Sequence, residues 1–209
     1  MRRFALLLAL MLPTTAQAHE IWVERDSSGP VRIYLGEPAE PLPPGGDPEF
    51  HRLVKPKILG AEGIATERRA GHLVAAVPGT GDVRVTDDSV FAPWGEAGAK
   101  EAVVYYARAG RAEPVTRMAY EIAPLRAGGD RFALMRGGKP VPNTKVTIVS
   151  PDKWTRVLTA GPDGAITVPV RGPGRYLLSA TSEETGQLTT PAGPVSKIYH
   201  TATTSFVAG

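Results

Sequence analysis

Glycine and proline interrupt this chain so often that they leave little room for a long helix. The 23 glycines and 20 prolines exceed a fifth of the 209 residues, and they fall between short runs rich in β-branched and aromatic side chains. No repeat period links them, and no stretch shows sustained helical periodicity with caps. The expected fold class is therefore all-β. Strands are expected over 20–25, 31–35, 51–58, 64–69, 72–77, 82–85, 102–107 and 115–122 in the first half. The segment from Gly36 to Pro48 carries too many fixed φ angles for a central strand and is expected as a long surface loop. Around Pro93-Trp94-Gly95 a second loop is expected, its tryptophan folding back over a core edge.

Pro124 and Gly128-Gly129 break the pattern before a fresh series of strands, which places a domain boundary there and gives units of 19–124 and 125–209. In the second unit strands are expected over 145–149, 155–160, 165–170 and 175–181. They are separated by Pro151-Asp152, Gly161 to Gly164 and Gly172 to Gly174, with Asp163-Gly164 as a hairpin signal. Two β-sandwich domains in tandem are the expected architecture.

The first 18 residues read as a secretory signal. Arg2 and Arg3 precede the apolar run Phe4 to Leu12, and Ala16-Gln17-Ala18 supplies the small residues of a cleavage site. Cleavage after Ala18 would leave 191 residues and lower the formal charge from +3 to +1, since Arg2 and Arg3 leave and no acid does. The remaining basic residues are scattered, and the Glu67-Arg68-Arg69 cluster reads as a solvated strand face, so nucleic acid is not an expected partner. Cysteine is absent, so the fold has neither disulfides nor thiolate ligands, although the signal directs it to an oxidising compartment. No later apolar stretch approaches the ~20 residues of a membrane span. The expected location is the periplasm.

Processing after Ala18 would make His19 the first residue of the mature protein. A free α-amine and the imidazole Nδ1 of the same residue close a six-membered chelate ring on a divalent metal, and imidazole suits nickel, copper and zinc. Further donors would come from the other three histidines, His51, His72 and His200, with Glu20, Glu24 or a tyrosine as oxygen donors. In a strand His19 shares a face with Ile21 and Val23, whereas Glu20, Trp22 and Glu24 project from the other, which makes Glu20 a poor partner for the His19 ring. His72 follows Gly71, where backbones can approach closely. His51 follows the proline-rich loop, and His200 lies in a last strand that would pair near the start of the mature chain.

Gly138-Lys139-Pro140-Val141-Pro142, Asp163-Gly164 and Gly174-Arg175-Tyr176 resemble the recurring "G-x-P-V", "D-G" and "G-x-Y" marks of carboxypeptidase-regulatory-like and prealbumin-like β-sandwich modules. That resemblance implies a fold and no activity. Taken whole, the chain resembles a family of periplasmic proteins of unknown function associated with nickel and cobalt uptake. The likeness rests on the start His19-Glu20-Ile21-Trp22-Val23-Glu24, on Leu35-Gly36-Glu37-Pro38, on Glu101 to Ala107, and on the C-terminal sandwich. It implies an accessory metal-binding protein without turnover, acting beside an inner- or outer-membrane transporter, with a histidine directly after cleavage.

The expected function is thus binding of nickel or cobalt first and copper second, by His19 with one or two of His51, His72 and His200, in support of metal uptake. The alternative is a metal-free interaction module for a protein or glycan. A copper-dependent oxidative enzyme that uses an N-terminal histidine brace is a third reading, but it needs an exposed aromatic substrate face that Trp22, Trp94 and Trp154 do not supply. No G-x-S-x-G elbow, H-E-x-x-H helix or calcium loop occurs.

Overall fold

A computed structural model describes residues 19–209; the expected signal segment lies outside the described residues. The chain is all-β. Its strands are β1 (Glu20–Glu24), β2 (Val31–Gly36), β3 (Lys57–Ile58), β4 (Glu67–Arg69), β5 (His72–Ala75), β6 (Val83–Asp87), β7 (Glu101–Ala109) and β8 (Tyr120–Pro124). These are followed by β9 (Arg131–Arg136), β10 (Lys139–Pro140), β11 (Lys145–Val149), β12 (Thr155–Thr159), β13 (Ala165–Thr167), β14 (Gly174–Thr190) and β15 (Gly193–Ala208). Of the strand expected over 51–58 only Lys57–Ile58 forms, with 53–56 irregular; a 3-10 turn over Pro48–Arg52 takes its first two residues. Asp47 caps it by accepting from the Glu49 N–H at 2.7 Å, and Pro48 opens it with a fixed φ suited to a helical start. His51 therefore sits on a turn.

Three sheets form. One has the order β1-β2-β5-β4, a second places β9 between β8 and β13, and the largest runs β12-β11-β14-β15-β7-β6-β3. Strands from both sides of Pro124 share that seven-stranded sheet, because the C-terminal β15 runs parallel to β7 from Lys197↔Glu101 to Ser205↔Ala109. Alternation then gives the central sheet two different faces. Val103, Tyr105, Ala107 and Ala109 of β7 join Ile21, Val23, Ile33, Leu35 and Leu73 in one core. Tyr106 of β7, with Ala202 and Phe206 of β15 and Tyr176 and Leu178 of β14, packs against Tyr120, Ile122, Phe132 and Leu134 in the other.

Strand β1 docks on the central sheet through side-chain hydroxyls. Thr203 Oγ1 donates to the Ile21 carbonyl at 2.7 Å, Ser205 Oγ donates to the Val23 carbonyl, and the Tyr105 hydroxyl donates to the His19 carbonyl at 2.9 Å. Three carbonyls on one edge of β1 are thereby satisfied where no neighbouring strand exists to do it. On the opposite face Thr204 Oγ1 donates to the Ile122 carbonyl of β8 at 2.6 Å. Replacing Thr203 by valine keeps the volume and orphans the Ile21 carbonyl in a buried setting. The expected loss is about 1–2 kcal/mol, read as a lower urea midpoint at unchanged slope.

The two sides are also tied by a buried ionic cluster. Glu121 Oε1 accepts from Arg84 Nε and Arg108 Nη1, each at 2.8 Å, and its Oε2 accepts from the backbone N–H groups of Arg117 (2.7 Å) and Met118 (3.0 Å). Arg108 also pairs with Asp82 and donates to the Val115 and Glu113 carbonyls. Arg108 and Glu121 are both fully buried.

Candidate metal centre

His19 lies one residue before β1, with its carbonyl fixed by the Tyr105 hydroxyl and its ring set edge-on to Phe91 at a centroid distance of 6.1 Å. The imidazole Nε2 is 3.1 Å from Asp47 Oδ1, and Asp47 is mostly covered. The two groups are within ion-pair distance without an aligned N–H···O hydrogen bond, and a carboxylate so placed favours the proton on Nε2, which would leave the lone pair on Nδ1. Nδ1 is the nitrogen that forms a six-membered chelate with the same residue's α-nitrogen.

The position of Asp47 follows from local backbone chemistry. Gly46 (φ +92°) and Gly71 (φ +80°) meet so closely that a Cβ on Gly46 would fall 2.2 Å from the Gly71 Cα. Only glycine permits both the positive φ and this approach. The contact presses the proline-rich loop onto the turn between β4 and β5, and Asp47 lies over Gly36, whose added Cβ would stand 3.2 Å from Asp47 Oδ2.

The other expected ligands are dispersed. His51, exposed on the 3-10 turn, directs Nδ1 to the Pro48 carbonyl at 2.8 Å. His72 opens β5 and lies against Tyr34, at a centroid distance of 5.1 Å, while Tyr34 stacks on Trp22 at 5.0 Å. The three form a cross-strand ladder on the side of the sheet away from Ile21 and Val23. His200 is buried in β15, with Nε2 2.9 Å from Glu184 Oε2 and Nδ1 3.2 Å from the Tyr106 hydroxyl. It shares strand parity with Thr204 rather than Thr203, so the central sheet stands between it and His19. Burial lowers its pKa, with Glu184 opposing and Arg136 adding to that shift. The last strand thus reaches β1 through hydroxyls, not by ladder pairing. Among the described residues no three His, Cys, Asp or Glu side chains converge as a metal cage.

The oxygen donors also separate. Glu24 faces Arg32, Arg175 and the Trp22 indole. Glu20 turns away from the His19 ring, and its Oε1 accepts from the Ser179 hydroxyl of β14. Burial pushes the Glu20 carboxyl up to about 7, an effect the Ser179 hydrogen bond only partly reverses. Trp94, 41 % exposed, stacks on Tyr199 at 6.1 Å rather than standing free. Asp47 and Tyr105 are the residues that a reading of the sequence misses. Nothing in a strand pattern ties position 19 to an aspartate 28 residues later, whereas the Asp47-Pro48 pair does mark a helical cap.

No protein-family model, no curated protein and no solved structure matches this chain. Among the described residues no helix is long and apolar enough to cross a membrane.

Proposed function

We propose that the chain is a periplasmic, non-enzymatic transition-metal carrier, built as two β-sandwich units in tandem that share a sheet, and that it captures nickel or cobalt, and secondarily copper, at a processed His19. The supporting observation is the proximity of Asp47 to His19 Nε2, because a carboxylate there favours the proton on Nε2 and would free Nδ1 for a metal beside the amine. The Tyr105 hydroxyl on the His19 carbonyl adds to it by holding the residue's main chain in one place. The amine and Nδ1 would hold the metal, and Asp47 would orient the ring. Two fixed nitrogens with the remaining positions left to water suit a carrier that must release its cargo to a membrane transporter. The resemblance of the His19 to Glu24 start to nickel- and cobalt-uptake accessory proteins points the same way.

The test is calorimetric titration of nickel and of copper into protein beginning at His19, beside a variant with one extra residue ahead of it and an Asp47→Asn variant. The extended variant should lose tight binding altogether, and Asp47→Asn should weaken it about tenfold, as removal of an orienting partner does. Equal binding in the extended variant would place any metal elsewhere, and no binding to the parent protein would end the carrier reading.

A second reading, an interaction module, draws on one observation. The Trp22–Tyr34 pair lines an open cleft of about 400 Å³ together with Leu42, Val149, Lys153 and Arg175, at the junction of β1 with β11 and β14. Glu24 and Glu40 line it too, and Arg175 pairs with Glu24, so stacked aromatic faces among balanced charges suit a protein or glycan partner.

A further inference from the structure

Strand β12 is the outermost strand of the seven-stranded sheet and pairs only with β11. The direction of its unpaired groups follows from two bonds at its ends. The Ser150 N–H donates to the Trp154 carbonyl and the Ala160 N–H to the Thr144 carbonyl, each at 2.9 Å. In an antiparallel ladder the bonded positions alternate, so Trp154, Arg156, Leu158 and Ala160 turn their main-chain groups to β11. Thr155, Val157 and Thr159 turn theirs outward. No strand lies on that side among the described residues, and all three residues are exposed, Val157 by 53 %.

Proteins normally guard such an edge, because its free N–H and C=O groups are a template for another strand. The other edges among the described residues are guarded. Strand β4 is three charged residues, β3 and β10 are two residues long, and β13 is three. Strand β8 is buried throughout, and β1 is seated on the hydroxyls of Thr203 and Ser205. The part of β14 that runs past β11 carries Glu183 and Glu184, and its pairing is irregular between Thr185 and Leu188. Strand β12 has no proline and no register shift, and its one charge is Arg156.

We infer that β12 is the surface through which two copies of this chain associate, paired antiparallel about a two-fold axis at Val157. The segment Thr155-Arg156-Val157-Leu158-Thr159 suits that operation. Val157 meets Val157, and Thr155 of each copy meets Thr159 of the other, so the outward-facing residues oppose one another and each pair exchanges two hydrogen bonds. Threonine pairs and pairs of β-branched residues are favourable cross-strand neighbours. Arg156 falls opposite Leu158 of the other copy, where its stem covers the leucine and its charge meets no second cation. A slip by one residue would set outward groups against inward ones, and a slip by two would leave one threonine unpaired. Each copy has one such edge, so the assembly closes as a dimer. The surface is separate from the candidate chelate, since the His19 carbonyl is held by β7, which lies beyond β11, β14 and β15 in the sheet order.

The experiment is sedimentation equilibrium of protein beginning at His19, in EDTA so that no metal bridges two copies. The range is about 10 µM to about 1 mM, which suits an interface this small. A reversible monomer–dimer equilibrium is the expected result. Val157→Lys and Val157→Glu, at an exposed position, should each weaken association at least tenfold, because the axis sets like charges opposite each other. An equimolar mixture of the two variants should associate again, with opposite charges facing at the axis. The Thr155, Val157 and Thr159 amides of the parent should also exchange more slowly with solvent at the upper end of the range than at the lower. A parent that stays monomeric throughout, a dimer that both variants leave intact, or a mixture that does not reassociate would each overturn the assignment. None of these outcomes depends on whether His19 binds a metal.

Discussion

Glu121→Ala is expected to destabilise the protein by about 3–5 kcal/mol, seen as a fall of roughly 10 °C in melting temperature. The carboxylate accepts four hydrogen bonds, two from guanidinium groups and two from backbone N–H groups, and Glu121, Arg84 and Arg108 are all buried. Its removal leaves the fully buried Arg108 with Asp82 and carbonyls alone, and orphans the Arg117 and Met118 N–H groups in the bend that leads into β8. The exposed pair Arg69–Glu67 is the contrast, since Arg69→Ala should leave the melting temperature unchanged. A loss below about 1 kcal/mol for Glu121→Ala would mean that water reaches the cluster.

The second large effect is a dependence of stability on pH that Glu20 governs. Its carboxyl lies at about 7 in the folded chain against 4.5 for the ordinary group. The folded state therefore holds a proton that the unfolded state has already released. Stability from this group is greatest below about pH 4.5 and is lost as pH rises to 7, by about 3 kcal/mol in all. His200 works in the opposite sense. Its pKa is lowered by burial, so the unfolded state binds the proton more readily and stability falls as pH drops below 6.5. Urea unfolding of the parent between pH 4.5 and 8 should show the two trends partly offsetting each other. In Glu20→Gln most of the loss toward pH 7 should vanish, leaving the His200 trend and, at the acid end, the smaller opposing one of Asp87, whose carboxyl burial also raises. A variant that loses as much stability toward pH 7 as the parent would assign the effect to Asp87 instead.

Much of the β-structure is legible in the sequence, for identifiable reasons. Val31 to Leu35 and Lys145 to Val149 alternate apolar and polar side chains and are bounded by turn residues, and both form strands where that pattern places them. The second half of β14 is not legible, because Glu183, Glu184, Thr185 and Gln187 carry no apolar face; the strand is sustained instead by pairing with β15. Nor is the parallel pairing of β15 with β7 legible, since no local signal relates segments about a hundred residues apart. At the candidate centre His19 stands out by its place after a cleavage motif. Asp47 does not, because the Gly46–Gly71 contact that delivers it arises only in three dimensions.

The hydroxyls that seat β1 come from residues 105, 203 and 205, the last two near the carboxyl end. During synthesis the segment that emerges first is consequently among the last to find its place, and the ring closed by these bonds spans nearly the whole polypeptide. Such long closures slow folding. The seating of β1 therefore waits on β15, whose hydroxyls at positions 203 and 205 are among the last made. The seat of β1 is in this way written into the hydroxyl side chains of a strand more than 180 positions away.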